Sequence, residues 1–316
     1  MLFVGLMGML AVGATAFYGF DTFVDDPEAE EANGALKPGE TSETTDSTQM
    51  DISALDADGG KIVEGTDQVD TLTGGENPDQ INGYGDDDQI DGLEGRDDLH
   101  GEAGQDTLSG SEGADTLHGG DGDDRLSGGT DDDTLFGGNH DDVLGGGTGD
   151  DSLVGSNGND TLNGGTGADA VHGELGDDNL AGGAGQDTLF GSYGNDILNG
   201  TDDQDADYLN GGAGKDTIIA GDGDMVSTGD GADIVSLNAR LANDHEPLIT
   251  DFSTEEDSLA VIYDDLADPD PEVTIEDHPD KGGRQSVLLN GTVVASLDNA
   301  PDLGLSNITL IPQSTL

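Results

Sequence analysis

Residues 92–127 read GLEGRDDLH, GEAGQDTLS, GSEGADTLH, GGDGDDRLS: four consecutive blocks of nine residues in one register. Each block opens on glycine and places aspartate sixth and leucine eighth. Outward from this stretch the frame holds without a gap from Gly65 to Asn199, with aspartate sixth and Leu, Ile or Val eighth in every block. Looser blocks carry it on to Ser236: an 11-residue one ending at Asn210, then GGAGKDTII, the shortened AGDGDMVS, and TGDGADIVS. A short period repeated this often is the mark of a solenoid, in which each coil packs only on its neighbours.

The first six residues of a block are rich in Gly, Asp and Asn, which turn easily and tolerate positive φ. The last three read as a short strand, so position eight faces one way and positions seven and nine the other. If two blocks make one coil, the position-eight aliphatics stack into ladders. Aspartates 18 residues apart then share an edge, Asp97 with Asp115 and Asp106 with Asp124. Such columns repel unless a cation lies between them. Carboxylates beside turn carbonyls form an oxygen-rich, flexible donor set that suits Ca²⁺, which takes 6–8 ligands, better than Mg²⁺, which keeps its waters. The absence of cysteine and the scatter of the six histidines argue against a soft transition metal in these turns.

The whole composition agrees. Among 316 residues, 70 are acidic and 8 basic, for a net charge of −62, and only 32% are hydrophobic. A chain of this kind cannot fold on burial alone, so it is either disordered or neutralised by bound cations. The periodic placement of the acids favours cations. The same charge repels nucleic acid and anionic membrane surfaces, which are set aside as partners.

The blocks resemble the RTX (repeat-in-toxin, haemolysin-type) calcium-binding nonapeptide, G-G-x-G-x-D-x-U-x with U aliphatic. The resemblance implies an all-β fold: a right-handed parallel β-roll holding several Ca²⁺ ions between successive turns, with a small β-rich C-terminal cap. Carried over by position, the implied calcium ligands with the full motif are Asp97, Asp106, Asp115, Asp124, Asp151, Asp160, Asp169, Asp178, Asp187, Asp196 and Asp216. Asp88, Asp133 and Asp142 join them on a weaker motif, because Asp86, Asp131 and His140 replace the position-four glycine. The insertion around Thr201–Asp207 is expected to interrupt the column of sites.

Four regions follow. Residues 1–24 are apolar without Lys or Arg, and read either as a membrane anchor or as a signal segment. Residues 25–60 read as an acidic flexible linker. Residues 61–236 are the roll. Residues 237–316 recover strand patterning (PLITDF, SLAVIY, EVTIED, SVLLN, TVVASL, ITLIP), with a hairpin signal at Asn290-Gly291. This tail resembles the one that follows the roll in many RTX exoproteins and carries a type I secretion signal.

No metalloprotease, nucleophile-elbow, phosphate-loop or Cys/His signature is present, so the chain is not expected to be an enzyme. The leading expectation is a secreted or cell-surface calcium-binding protein that folds on binding the metal. The alternative is an adhesin or matrix stalk that uses the roll as a rigid rod. His100, His118 and His172 fall with Phe136, Val154 and Phe190 in one outward row. The row reads either as a solvent-facing strand row or as a face for a cell-surface or protein partner. The matching row of the other sheet is small and polar.

Overall fold

The computed structural model describes residues 51–55, 59–201, 205–238, 245–267, 269–277 and 283–315. Among these the chain forms a 15-stranded and a 12-stranded sheet, with successive blocks alternating between them. Strand pairs in the regular repeats are parallel and offset by 18 residues: Leu99 lies beside Leu117, and Leu108 beside Leu126. Two blocks therefore make one coil of a parallel β-solenoid. Among the described residues the only helical pieces are the single turns Leu305–Asn307 and Gln313–Thr315, and no described helix is long and apolar enough to cross a membrane.

The strands are longer than the nine-residue pattern suggests. They run six residues across the block boundary, as in Thr107–Glu112 and Thr116–Asp121, which leaves only positions four to six as turn. Alternation along such a strand puts position eight and the following position-one glycine on the same inner face. Both are buried in every coil of the core stretch, and positions seven and nine face out. The position-one glycines therefore belong to the interior rather than to the turn.

The core consists of two facing ladders. Ile81, Leu99, Leu117, Leu135, Leu153, Val171 and Leu189 line one sheet, and Ile90, Leu108, Leu126, Leu144, Leu162, Leu180 and Leu198 line the other, all 3% exposed or less. Each such side chain contributes about 1.5–3 kcal/mol by leaving water. Ordering nine residues costs about 1–2 kcal/mol apiece in backbone entropy. One buried aliphatic per block is too little, so the turns must supply the rest.

At the N-terminal end, Lys61–Thr66 adds a strand before the first full block, with Val63 entering the ladder. Asp51–Leu55 pairs antiparallel with it, so the segment read as linker ends in an edge strand. The expectations for residues 1–24 and 25–50 lie outside the described residues.

At the other end both sheets continue without a break. Leu248–Ile249 pairs with Met225–Val226, and Ser258–Tyr263 pairs with Ile234–Asn238, all parallel. Two strands then join by a hairpin, Arg284–Leu289 and Thr292–Asp298. Asn290 (φ 54°) and Gly291 (φ 83°) make the turn, both left-handed as a two-residue hairpin of this hand requires. Arg284 forks onto Asp298, with Nε to Oδ1 at 2.6 Å and Nη2 to Oδ2 at 2.8 Å.

Candidate metal centre

In every coil the position-six aspartate divides its two oxygens. Oδ1 accepts the backbone N–H of the aspartate one coil earlier, at 2.7–2.9 Å in the regular repeats. This stitches the chain into two columns. One runs Asp88, Asp106, Asp124, Asp142, Asp160, Asp178, Asp196, Asp216; the other runs Asp97, Asp115, Asp133, Asp151, Asp169, Asp187. All fourteen residues carried over from the resemblance are thus brought together.

Oδ2 has a different environment. In Asp79, Asp88, Asp97, Asp106, Asp115, Asp124, Asp133, Asp142, Asp151, Asp160, Asp169, Asp178, Asp196, Asp216 and Asp233 it is buried and meets no donor. It turns toward the position-one glycine of its own block. A Cβ on Gly101 would overlap Asp106 Oδ2 and lie 2.8 Å from the carbonyl of Gly119, one coil on. At Gly128 the corresponding pair is Asp133 Oδ2 and the Gly146 carbonyl, the latter at 2.6 Å. Carboxylate and carbonyl oxygens thus converge, coil after coil, on a cradle kept open by glycine.

A buried anion without donors is costly, and these carboxyls hold their protons more tightly for it. Burial, opposed by the backbone hydrogen bond and reinforced by neighbouring carboxylates, pushes Asp97, Asp124, Asp133, Asp169 and Asp196 up to about 7. The same causes take Asp142 to about 8. Burial also raises Asp106, Asp151, Asp178 and Asp216.

The column ends are built differently, and this identifies what the middle lacks. Asp70 Oδ2 accepts the Thr66 N–H at 2.6 Å and its hydroxyl at 2.9 Å. Asp257 Oδ2 accepts the Ser253 N–H at 2.8 Å and the Thr228 hydroxyl at 3.0 Å. Asp224 Oδ2 accepts the Gly221 N–H at 2.6 Å. At the start of the second column Lys61 replaces aspartate altogether. Its backbone N–H bonds Asp79 Oδ1 at 2.6 Å, and its ammonium donates to the Gly74 carbonyl, the counterpart of the carbonyl that elsewhere faces Oδ2. The chain supplies its own positive, hydroxyl or N–H donors at the ends, whereas the Oδ2 atoms named above meet none. A hard cation with several open coordination positions, Ca²⁺, fits the donor set that remains.

The family model of the RTX calcium-binding nonapeptide repeat matches the chain in overlapping stretches that together run from residue 64 to 235. The chain belongs to the RTX calcium-binding repeat family. A comparison with curated proteins found no similar sequence.

Several details of this RTX roll depart from the sequence reading. Asp131 (φ 75°) and His140 (φ 80°) adopt the left-handed backbone at position four, so Asp133 and Asp142 sit like their neighbours despite the missing glycine. The ladder of backbone N–H to Oδ1 bonds continues across the insertion. Asp187 N–H bonds Asp207 Oδ1 and Asp196 N–H bonds Asp216 Oδ1, each at 2.9 Å across 20 residues instead of 18. Sequence reasoning also left out Asp79, Asp207, Asp224, Asp233 and Asp257, which extend the columns.

A second ladder at position five was missed as well. Asp87 Oδ1 accepts Gln105 N–H, Asp132 accepts Asp150 N–H, Asp141 accepts Asn159 N–H and Asp177 accepts Asn195 N–H, at 2.7–2.9 Å. These bonds run from later coil to earlier one, opposite to those of position six. The signal was present, since position five is Asp or Asn in most of these blocks, but period alone does not reveal direction.

Proposed function

We propose that this RTX protein is an extracellular, non-catalytic calcium-binding protein whose roll folds as its turns take up the metal. The observation that carries this reading is the run of buried Oδ2 atoms without donors, bounded at each end by carboxylates that have them. With the turns empty, that charge opposes stacking at every coil. With calcium in them, the same oxygens become the cross-coil tie that the thin aliphatic ladders need. Extracellular calcium, at about millimolar levels, suits weak sites of this kind. Family membership favours secretion, and the tail at 237–316 carries the proposed type I export signal.

The test is far-UV circular dichroism of the full chain during a Ca²⁺ titration, with Mg²⁺ as control. A cooperative gain of β signal with Ca²⁺ alone supports the reading. A chain already folded in chelator, or unchanged by millimolar Ca²⁺, removes it.

A further inference from the structure

Away from the turns, the outer face of the larger sheet carries a donor set of a different kind. Asp98 and His100 lie two apart on the strand Asp98–Ala103 and so face the same way, and His100 is in register with His118 on Thr116–Asp121. A carboxylate oxygen of Asp98 and one nitrogen from each imidazole all fall within 4.8 Å of one another, and His100 Nε2 is 2.9 Å from Asp98 Oδ1. We propose that Asp98, His100 and His118 form a site for one borderline divalent cation, of which Zn²⁺ is the probe of choice, separate from the calcium columns.

The chemistry separates the two sets. The turns offer oxygen alone, whereas this face offers two imidazoles and one carboxylate, which favour Zn²⁺, Cu²⁺ or Ni²⁺ over Ca²⁺. Burial and the neighbouring His100 hold the His118 imidazole below the usual histidine range, which keeps it neutral and able to ligate. The resting arrangement is a stack: His100 on His118 at 4.6 Å and 10° from parallel, and His118 on Phe136 at 4.8 Å and 8°. Parallel rings cannot aim two lone pairs at one ion, so binding requires one ring to turn out of the stack. That gives up one ring contact, small beside two metal–nitrogen bonds. An open hollow of about 240 Å³, lined in part by Asn82, Tyr84, Asp98 and His100, gives the ring room.

The same row contains its own control. His172 stacks on Phe190 at 4.9 Å, but its partners in register are Val154 and Phe190, and Ala170 stands where Asp98 stands for His100. It has neither a second imidazole nor the carboxylate.

Calorimetric titration of the full chain with Zn²⁺, in millimolar Ca²⁺ to keep the turns occupied, should show about one ion bound per chain. His100→Gln and His118→Gln should each weaken it by at least about tenfold, and His172→Gln should leave it unchanged. An identical isotherm for the double variant His100→Gln/His118→Gln, or an equal loss from His172→Gln, would overturn the proposal. Should a variant lose its calcium-induced β signal, histidine ring resonances of the wild-type chain decide instead. Zn²⁺ must then shift those of His100 and His118 and leave His172 in place; uniform shifts, or none, refute the site.

Discussion

The backbone N–H of Asp124 donates to Oδ1 of Asp142 at 2.8 Å, while Oδ2 of Asp142, on a residue 1% exposed, meets no donor. One carboxylate thus both ties two coils together and leaves a charge between them. The balance depends on what neutralises that charge, and protons and calcium compete to do it.

The first prediction concerns pH without metal. In the metal-free fold burial raises the carboxyls of Asp88 and Asp160 from their ordinary 3.8 to about 6 and that of Asp142 to about 8. The folded chain therefore binds these protons more tightly than the unfolded one, and stability falls as pH rises. That stabilisation is fully present below about pH 4 and is lost as pH passes through 6 to 8. In chelator, circular dichroism should show more β structure at pH 5 than at pH 8. Calcium affinity should move the other way, weakening as pH drops through the same range. A flat profile between pH 5 and 8 would mean that the buried oxygens are satisfied by something else.

Replacing Asp142 by Asn tests one site. The amide keeps the acceptor for Asp124 N–H, removes the charge, and places a donor toward the Gly155 carbonyl, which would lie 2.9 Å from a Cβ added at Gly137. Asp142→Asn should make the metal-free chain easier to fold and should lower bound calcium by about one ion per chain, read by equilibrium dialysis with elemental analysis. Unchanged stoichiometry would remove Asp142 Oδ2 from the ligand set.

The solenoid, its two-block coil and both aspartate columns were legible because each coil repeats the same environment, so Asp97 and Leu99 recur every nine residues under the same constraint. What could not be read depends on where the repeat is broken. Asp257 joins its column 24 residues after Asp233, and Lys61 fills an aspartate position in a block whose start has lost the pattern. The six-residue strands were hidden because glycine at position one looks like turn chemistry, although at Gly101 it serves to leave room for Asp106.

Lys61 yields a test of opposite sign. Its ammonium holds the Gly74 carbonyl beside Asp79, in place of a carboxylate that would need a metal. Lys61→Asp should therefore add about one calcium per chain and make the first coil more dependent on it. Lys61→Met should leave the calcium count unchanged and lower the stability of the N-terminal coil by roughly 1–3 kcal/mol, the cost of an unpaired carbonyl. Hydrogen exchange of the Lys61–Thr66 strand reports the second effect, and elemental analysis the first. The reading fails if Lys61→Asp binds no more calcium than the wild type.

Glycine substitutions separate conformation from space. Gly113 sits at φ 126°, and a Cβ there would overlap the Gly95 carbonyl of the preceding coil, so Gly113→Ala must part the two coils. Gly145, on the outer row of the other sheet, has nothing within 4 Å of its Cβ position and no positive φ. Gly145→Ala should raise stability by about 0.4–1 kcal/mol through the unfolded chain, whereas Gly113→Ala should lower it by several times that amount and weaken calcium binding at the adjoining turns. Thermal unfolding in saturating Ca²⁺ separates them. Equal effects would mean that the coils are not in the close contact that Gly113 and Gly95 define, and the cross-coil convergence of carboxylate and carbonyl at the cradles would lose its basis.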